Sequence, residues 1–187
     1  MEKRDSIGFT EAEYIEKFRE KDYPRPSLTA DILIFADGRT KLLLIKRKGH
    51  PYIGQWAFPG GFAESTETIE CTAARELEEE TGIKGLDLKM IKLFSRPGRD
   101  PRGWTVSMAY SADVELKNCR AVAGDDAAEA EWFTFEKTGS SISLSCGDVH
   151  IAYDYAIDGE DVSVRFGTED KLAFDHAEIL AYCLERG

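Results

Sequence analysis

Apolar positions repeat with a period of two through most of the chain and with a helical period in three places, and the two rhythms outline the elements. Thr10 and Glu13 have the spacing of a capping box ahead of Tyr14, Ile15 and Phe18, which share one helical face, and Pro24 and Pro26 end that short helix. Strand-like stretches follow at 28–35 and 41–47, joined through Asp37-Gly38, a hairpin signal. Residues 56–62 lead into a glycine pair, and apolar extended runs return at 86–94, 106–114 and 130–135. Between 138 and 170 the sets Ile142-Leu144-Cys146, Val149-Ile151-Tyr153-Tyr155 and Val162-Val164-Phe166 alternate strictly, with Asp158-Gly159 as a tight turn. This predicts a small antiparallel meander inserted before the last helix, where it could cap a substrate site, build a dimer interface or cover the core. From about Lys171 a final amphipathic helix turns Leu172, His176, Ile179, Leu180, Cys183 and Leu184 inward.

The middle helical segment is the densest in chemistry. Ser65 or Thr66 can cap its start, Glu67 and Glu70 suit the positive end of its dipole, and Thr81-Gly82-Ile83 reads as a glycine stop, so the helix is predicted from about 67 to 81. Ile69, Ala73, Ala74 and Leu77 would form its apolar face, with Glu76, Glu79 and Glu80 on an adjacent stripe. Three like charges at that spacing repel unless a cation lies among them. They could be an ordinary solvated face, but the stripe adjoins the apolar side, and the preceding glycine pair lets backbone approach a ligand closely. Strands enclosing a helix in this order predict an α/β fold, a mixed sheet with helices on both faces. The length, 187 residues, suits a single domain spanning 1–187.

A formal net charge of -11 argues against a nucleic-acid-binding surface, which needs a basic face. It also means that binding a phosphate compound calls for a neutralising divalent cation. Cys71, Cys119, Cys146 and Cys183 lack metal-ligand spacing, and no secretory signal or long apolar span stands out, so free thiols, a cytoplasmic setting and no membrane partner are expected. His50, His150 and His176 are dispersed and read as structural or surface residues.

Residues 61 to 83 run Gly61-x5-Glu67-x7-Arg75-Glu76-Leu77-x-Glu79-Glu80-x-Gly82-Ile83. Seven fixed and two apolar positions match by chance in a chain of this length roughly once in ten million. The segment resembles the signature of the Nudix hydrolase family, spacing included. The resemblance implies an α/β/α sandwich over about residues 28–135 plus the final helix, and a metal-dependent enzyme that cleaves a nucleoside diphosphate linked to another group. It also implies that Gly61, through its carbonyl, and Glu76, Glu79 and Glu80 hold Mg²⁺, with Mn²⁺ as a substitute, that one glutamate deprotonates water, and that Arg75 orients a neighbouring glutamate.

Outside the signature, Ser95-Arg96-Pro97-Gly98-Arg99-Asp100-Pro101-Arg102-Gly103-Trp104 places a proline 15 residues after Gly82. This looks like the branch of the family that hydrolyses ADP-ribose to AMP and ribose 5-phosphate. Arg96, Arg99 and Arg102 are candidates for binding phosphate, since guanidinium groups suit it bidentately, though they could instead pair with Asp100 and neighbouring acids. Trp104 could stack on adenine or belong to the core. A second acidic turn carries Asp125, Asp126 and Glu129, and family resemblance implies that an acid here, Asp126 or Glu129 foremost, can complete the metal site or act as base. The expected partners are a nucleotide substrate and a second copy of the chain. Two rivals are a hydrolase of another nucleoside di- or triphosphate derivative and a sensor that binds ADP-ribose without cleaving it.

Overall fold

The computed structural model describes residues 3–119 and 127–186. Ten strands make one sheet, ordered β10-β9-β8-β7-β2-β1-β6-β5. In chain order they are β1 (Ser27–Ala36), β2 (Lys41–Arg47), β3 (Trp56–Ala57), β4 (Gly60–Phe62), β5 (Lys89–Phe94), β6 (Thr105–Val114), β7 (Ala127–Thr138), β8 (Ser141–Cys146), β9 (Val149–Asp158) and β10 (Asp161–Phe166). The short β3 and β4 pair with β2 and β1. The sheet is mixed because β1 and β6 run parallel through all ten residues of each, from Ser27 opposite Thr105 to Ala36 opposite Val114, while the other pairs are antiparallel. A parallel neighbour requires a long return path.

Helices α1 (Glu11–Arg19), α2 (Ile69–Thr81) and α3 (His176–Arg186) complete the fold. Helix α2 packs on β1, β4 and β7, and α3 on β9 and β10. Strand β1 is buried on both faces: Ala30, Ile32 and Ile34 point toward Ala73 and Leu77 of α2, and Leu33 and Phe35 toward Ile179, Leu180 and Cys183 of α3. This is why its sequence is a continuous apolar run instead of an alternation. The predicted mixed α/β sandwich is therefore present.

Several boundaries differ from those expected. Helix α2 starts at Ile69 and is capped by Thr68, whose hydroxyl accepts from the Cys71 N–H, not by Ser65 or Thr66. Glu67 lies ahead of the helix because its carboxylate is drawn to the Glu64 N–H, the Thr72 hydroxyl and Arg75. Ala74 is exposed and Thr72 buried, so the buried stripe is rotated slightly from the apolar one. Helix α3 begins at His176, not near 171. Phe174 has φ 53, which no helix tolerates, and the Ala173 N–H donates to the Trp56 carbonyl, so the chain docks on β3 before it turns helical. The meander does not stand apart: β8, β9 and β10 extend the main sheet from β7, and Ile142, Leu144, Ile151, Tyr153 and Tyr155 join the core under α3. Helix α1 has the expected capping box but buries nothing, leaving Tyr14, Ile15 and Phe18 exposed. Among the described residues no helix is long and apolar enough to cross a membrane.

Gly82 closes α2 at φ 71, with its N–H donating to the Glu78 carbonyl, and a Cβ there would meet open space. Gly82→Ala should still cost about 1–2 kcal/mol, because the penalty is the left-handed backbone and not a clash. Denaturant unfolding of the two proteins measures it; a loss below the error of the midpoint would show that the helix can end in another way.

Candidate active site

Glycine at 60 and 61 lets β4 run where no side chain fits. Gly60 has φ 153, and a Cβ on it would strike the Ala30 carbonyl of β1. A Cβ on Gly61 would strike the Glu76 carboxylate. The pair is thus held between β1 on one side and the α2 glutamates on the other, and the Gly60 N–H donates to Glu80 Oε2 at 2.8 Å.

Arg75 ties this layer together. Its guanidinium donates to both carboxylate oxygens of Glu67 (2.8 and 3.1 Å), to Glu76 (2.8 Å), to Glu79 (3.0 Å) and to the Phe62 carbonyl (3.1 Å). The bonds from Arg75, with those from Glu64 and Thr72, hold Glu67 at a pKa of about 2, and Arg75 itself is raised in turn, chiefly by Glu67. Glu76 moves the other way: burial raises it, and Arg75 offsets that only in part. Glu79 is the outermost of the three, its side chain 57% exposed.

The donor set suits a hard divalent cation: three carboxylates and the Gly61 carbonyl are oxygen ligands, and the close seat of Glu76 against Gly61 exists only because residue 61 has no side chain. Among the described residues, however, no three His, Cys, Asp or Glu side chains are grouped tightly enough to cage an ion as they stand. Arg75 supplies the positive charge on Glu76 and Glu79 instead.

On the α3 side of the glycine pair lies a cavity of about 60 Å³. Arg47, Arg99, Arg102, Phe62, Phe174 and both glycines line it, over a floor of Asp31 and His176. Arg102 lies over the Phe62 ring (4.5 Å) and is held by Asp100, while Arg47 lies over Phe174 (4.8 Å). Burial and the nearby Arg102 both lower the Arg47 pKa.

The floor is a buried ionic network. Arg99 donates to both oxygens of Asp175 (2.8 and 2.7 Å) and lies 3.6 Å from Asp31. Ser107 donates to Asp31, and His176 Nε2 is 3.5 Å from the same carboxylate. His176 Nδ1 accepts from the Phe58 N–H (2.9 Å) and its ring stacks on Phe58. Burial pushes the Asp31 pKa up, but His176, Arg99 and Ser107 together outweigh it and hold the group at about 2.

The residues singled out in the sequence are thus only partly brought together. Gly61, Glu76, Glu80, Arg75, Arg99 and Arg102 converge around the glycine pair, with Glu79 on their outer edge. Arg96 stands apart, paired with Glu178 at 2.6 Å, so the three arginines do not act as one loop cluster. Glu129 pairs with Lys46 at 2.9 Å and does not line the cavity, while Asp125 and Asp126 lie outside the described residues. Trp104 does not belong to the core, being 55% exposed. Arg47, Asp31, Phe174 and Asp175 were missed, while His176 is buried and structural, on the inner side of the last helix as expected. A charged residue inside the apolar run of β1 was a readable sign for Asp31, whereas the partners of His176, Phe58 and Asp31, are far away in sequence.

A carboxylate at about 2 in the fold and near 3.8 unfolded contributes stability that is present above pH 4 and lost as pH falls toward 2. The loss between pH 5 and pH 2 should be about 2 kcal/mol larger in the wild type than in Asp31→Asn, which starts from a lower value because Arg99 is left short of a partner. Denaturant titrations at several pH values give both slopes, and parallel slopes would refute the assignment.

Residues 25–145 match the NUDIX domain family. Over 134 residues, 70% of this chain and 74% of its relative, the sequence is 42% identical to the ADP-ribose pyrophosphatase of Methanocaldococcus jannaschii. The fold superposes on a MutT/nudix family protein from Enterococcus faecalis with a TM-score of 0.79 and 37% identity, covering 95% of this chain and 69% of the other. It also superposes on the NUDIX domain of Shewanella oneidensis NrtR complexed with ADP ribose, with a TM-score of 0.70 and 26% identity, over 95% and 99% of the two chains. The glycine pair and the signature helix lie within the matched residues, and the chain belongs to the Nudix family and is a Nudix pyrophosphohydrolase.

Proposed function

We infer that this hydrolase takes ADP-ribose and water to AMP and ribose 5-phosphate with Mg²⁺ or Mn²⁺. The observation that carries the reading is the meeting at Gly60-Gly61 of an acidic layer from α2 and an arginine-lined cavity from the opposite side of the sheet. A diphosphate needs both, cationic walls for its oxygens and carboxylates for a metal and a proton. The similarity to the M. jannaschii enzyme and to a domain complexed with ADP ribose supports this substrate over other nucleoside diphosphate compounds.

Glu76, Glu79 and Glu80, with the Gly61 carbonyl, would hold the cation, which supplies charge neutralisation at the diphosphate and eases deprotonation of water. The chain's own groups do the rest. Arg102 and Arg47 present guanidinium groups to the phosphate oxygens, steadied by Phe62, Phe174 and Asp100. Glu79, with its carboxylate outermost, accepts the proton of the attacking water. The new P–O bond forms as the bridging P–O bond breaks, and the leaving phosphate carries off the electron pair. Arg75 positions Glu76 and Glu79. The reading also expects a homodimer, for which the exposed Tyr14, Ile15 and Phe18 of α1 are available.

Glu79→Gln and Glu80→Gln should each lower turnover of ADP-ribose with Mg²⁺ by about 10² to 10⁴. Both within threefold of wild type would remove these residues from the mechanism, and binding without turnover in the wild type would make the chain a sensor.

Arg102→Ala should weaken ADP-ribose binding by about 1.5–3 kcal/mol, with Arg102→Lys restoring only part, because an ammonium lacks the planar fork. Arg99 is a poorer probe: its removal strands Asp175 in the core and confounds binding with stability. Isothermal titration with both Arg102 variants decides it, and unchanged affinity in Arg102→Ala would exclude the contact.

A further inference from the structure

The backbone from Phe58 to Gly61 is pinned by three elements. From β1, the Ile32 N–H donates to the Pro59 carbonyl at 2.9 Å, and Asp31 and Ala30 lie opposite Gly60 and Gly61 in the β1–β4 pair. From α2, Glu80 accepts from the Gly60 N–H at 2.8 Å. The third tie comes from α3, where His176 Nδ1 accepts from the Phe58 N–H at 2.9 Å.

His176 is 3% exposed, and its ring lies flat on that of Phe58, with centroids 4.7 Å apart and 4° between the planes. A ring nitrogen that accepts a bond carries no proton, so the ring proton of His176 lies on Nε2. Nε2 stands 3.5 Å from the carboxylate of Asp31, the residue directly across from Gly60 in the sheet. One ring therefore braces both sides of the close approach: the chain two residues before Gly60, and β1 opposite it. A phenylalanine would fill the same space and stack on Phe58, but it would accept nothing from the Phe58 N–H and donate nothing to Asp31.

We propose that His176 is a positioning residue for the hydrolysis: through Phe58 and Asp31 it sets where Gly60 and Gly61 stand against the α2 glutamates, and so how tightly a divalent cation is held there. It acts through the strand and not on the reacting atoms. The assignment rests on the reading of the Gly61 carbonyl and Glu76, Glu79 and Glu80 as the cation's ligands. It also gives the late start of α3 a consequence, since the adjacent Asp175 holds Arg99 while His176 holds Phe58, and one turn of chain thus fixes both the glycine strand and an arginine of the cavity.

Two substitutions separate the two bonds of the ring. Asparagine puts an amide oxygen where Nδ1 lies and can accept from Phe58, whereas glutamine puts an amide nitrogen where Nε2 lies and can donate to Asp31. Both lose the stacked ring, so a loss of stability common to both is packing. Mn²⁺ binding is measured by calorimetry without substrate, and amide exchange at Gly60 is read in metal-free protein against amides of the β2–β7 pair. His176→Gln should weaken Mn²⁺ binding about tenfold or more, the usual cost of losing a group that orients a metal ligand, and raise the Mg²⁺ needed for half-maximal turnover by the same factor. It should also speed exchange at Gly60 beyond any change in β2–β7, and His176→Asn should restore all three to within about threefold of wild type. Folded variants that bind Mn²⁺ alike, with Gly60 exchanging no faster than β2–β7 in either, would make His176 a packing residue only and overturn the proposal. If the wild type binds no Mn²⁺, the cation reading fails, and exchange at Gly60 decides the positioning role by itself: a rise in Gln but not in Asn supports it, and equal rates in the two overturn it. The wild type gives a check that no variant's folding can confound, because nitrogen NMR of His176 should show Nε2 protonated and Nδ1 bare, and the opposite tautomer would refute the brace.

Discussion

Everything in the site depends on one close approach, the passage of Gly60 and Gly61 between the β1 backbone and the carboxylates of α2. A side chain at either position would collide, at 60 with the Ala30 carbonyl and at 61 with Glu76. Because both are glycine, the strand can pair with β1 and still leave its N–H and C=O groups open to the helix. Helix, strand and sheet are fixed to one another at the place where substrate oxygens would have to enter. The apolar packing of Ala73 and Leu77 under α2 supplies the bulk of the attachment, and the glycine contact sets its register.

Two charge networks then lie on opposite sides of this strand. Arg75 binds Glu67, Glu76, Glu79 and the Phe62 carbonyl, so the loop before α2, the helix and β4 share one cation. On the other side Asp31, His176, Arg99 and Asp175 join β1, the arginine loop and the start of α3. The two differ in solvent. The Arg75 network is partly exposed, whereas the Asp31 network is buried and would leave stranded charge if any member were lost.

Much of this was legible in the chain. The spacing from Gly61 to Ile83 specified the helix, its glutamate stripe and its glycine stop, because each depends on neighbours within a few residues. The strands were legible for the same reason, down to the three alternating runs after residue 138. The start of α2 was misplaced because Ser65, Thr66 and Thr68 are equally good caps in sequence, and the choice falls to Glu67, whose bonds to Glu64, Thr72 and Arg75 keep it out of the helix. His176 was legible as an inward, structural residue, but not its partners Phe58 and Asp31, which only the fold brings near. Arg96 and Arg102 looked equivalent in one loop, yet the turn between them sends one to Glu178 and the other to Asp100 and Phe62.

The charge of the whole chain sharpens what those arginines mean. At a formal net charge of -11 the protein repels anions in general, and a diphosphate approaches against that field. Attraction must be local and short-ranged. In the proposed reading Arg47 and Arg102 would provide it from β2 and the 95–104 loop, lying on the rings of Phe174 and Phe62, with Arg102 also held by Asp100. A guanidinium lying on a ring has its face desolvated, which strengthens the bonds its edge makes, here from Arg102 to Asp100 and from Arg47 to the Pro51 carbonyl. Phe174 holds its place only through a left-handed backbone, a conformation that costs a bulky residue about 1–3 kcal/mol. That cost is offset where Ala173 docks on Trp56 and His176 on Phe58, so the turn that delays α3 is also what delivers an aromatic wall to the cavity.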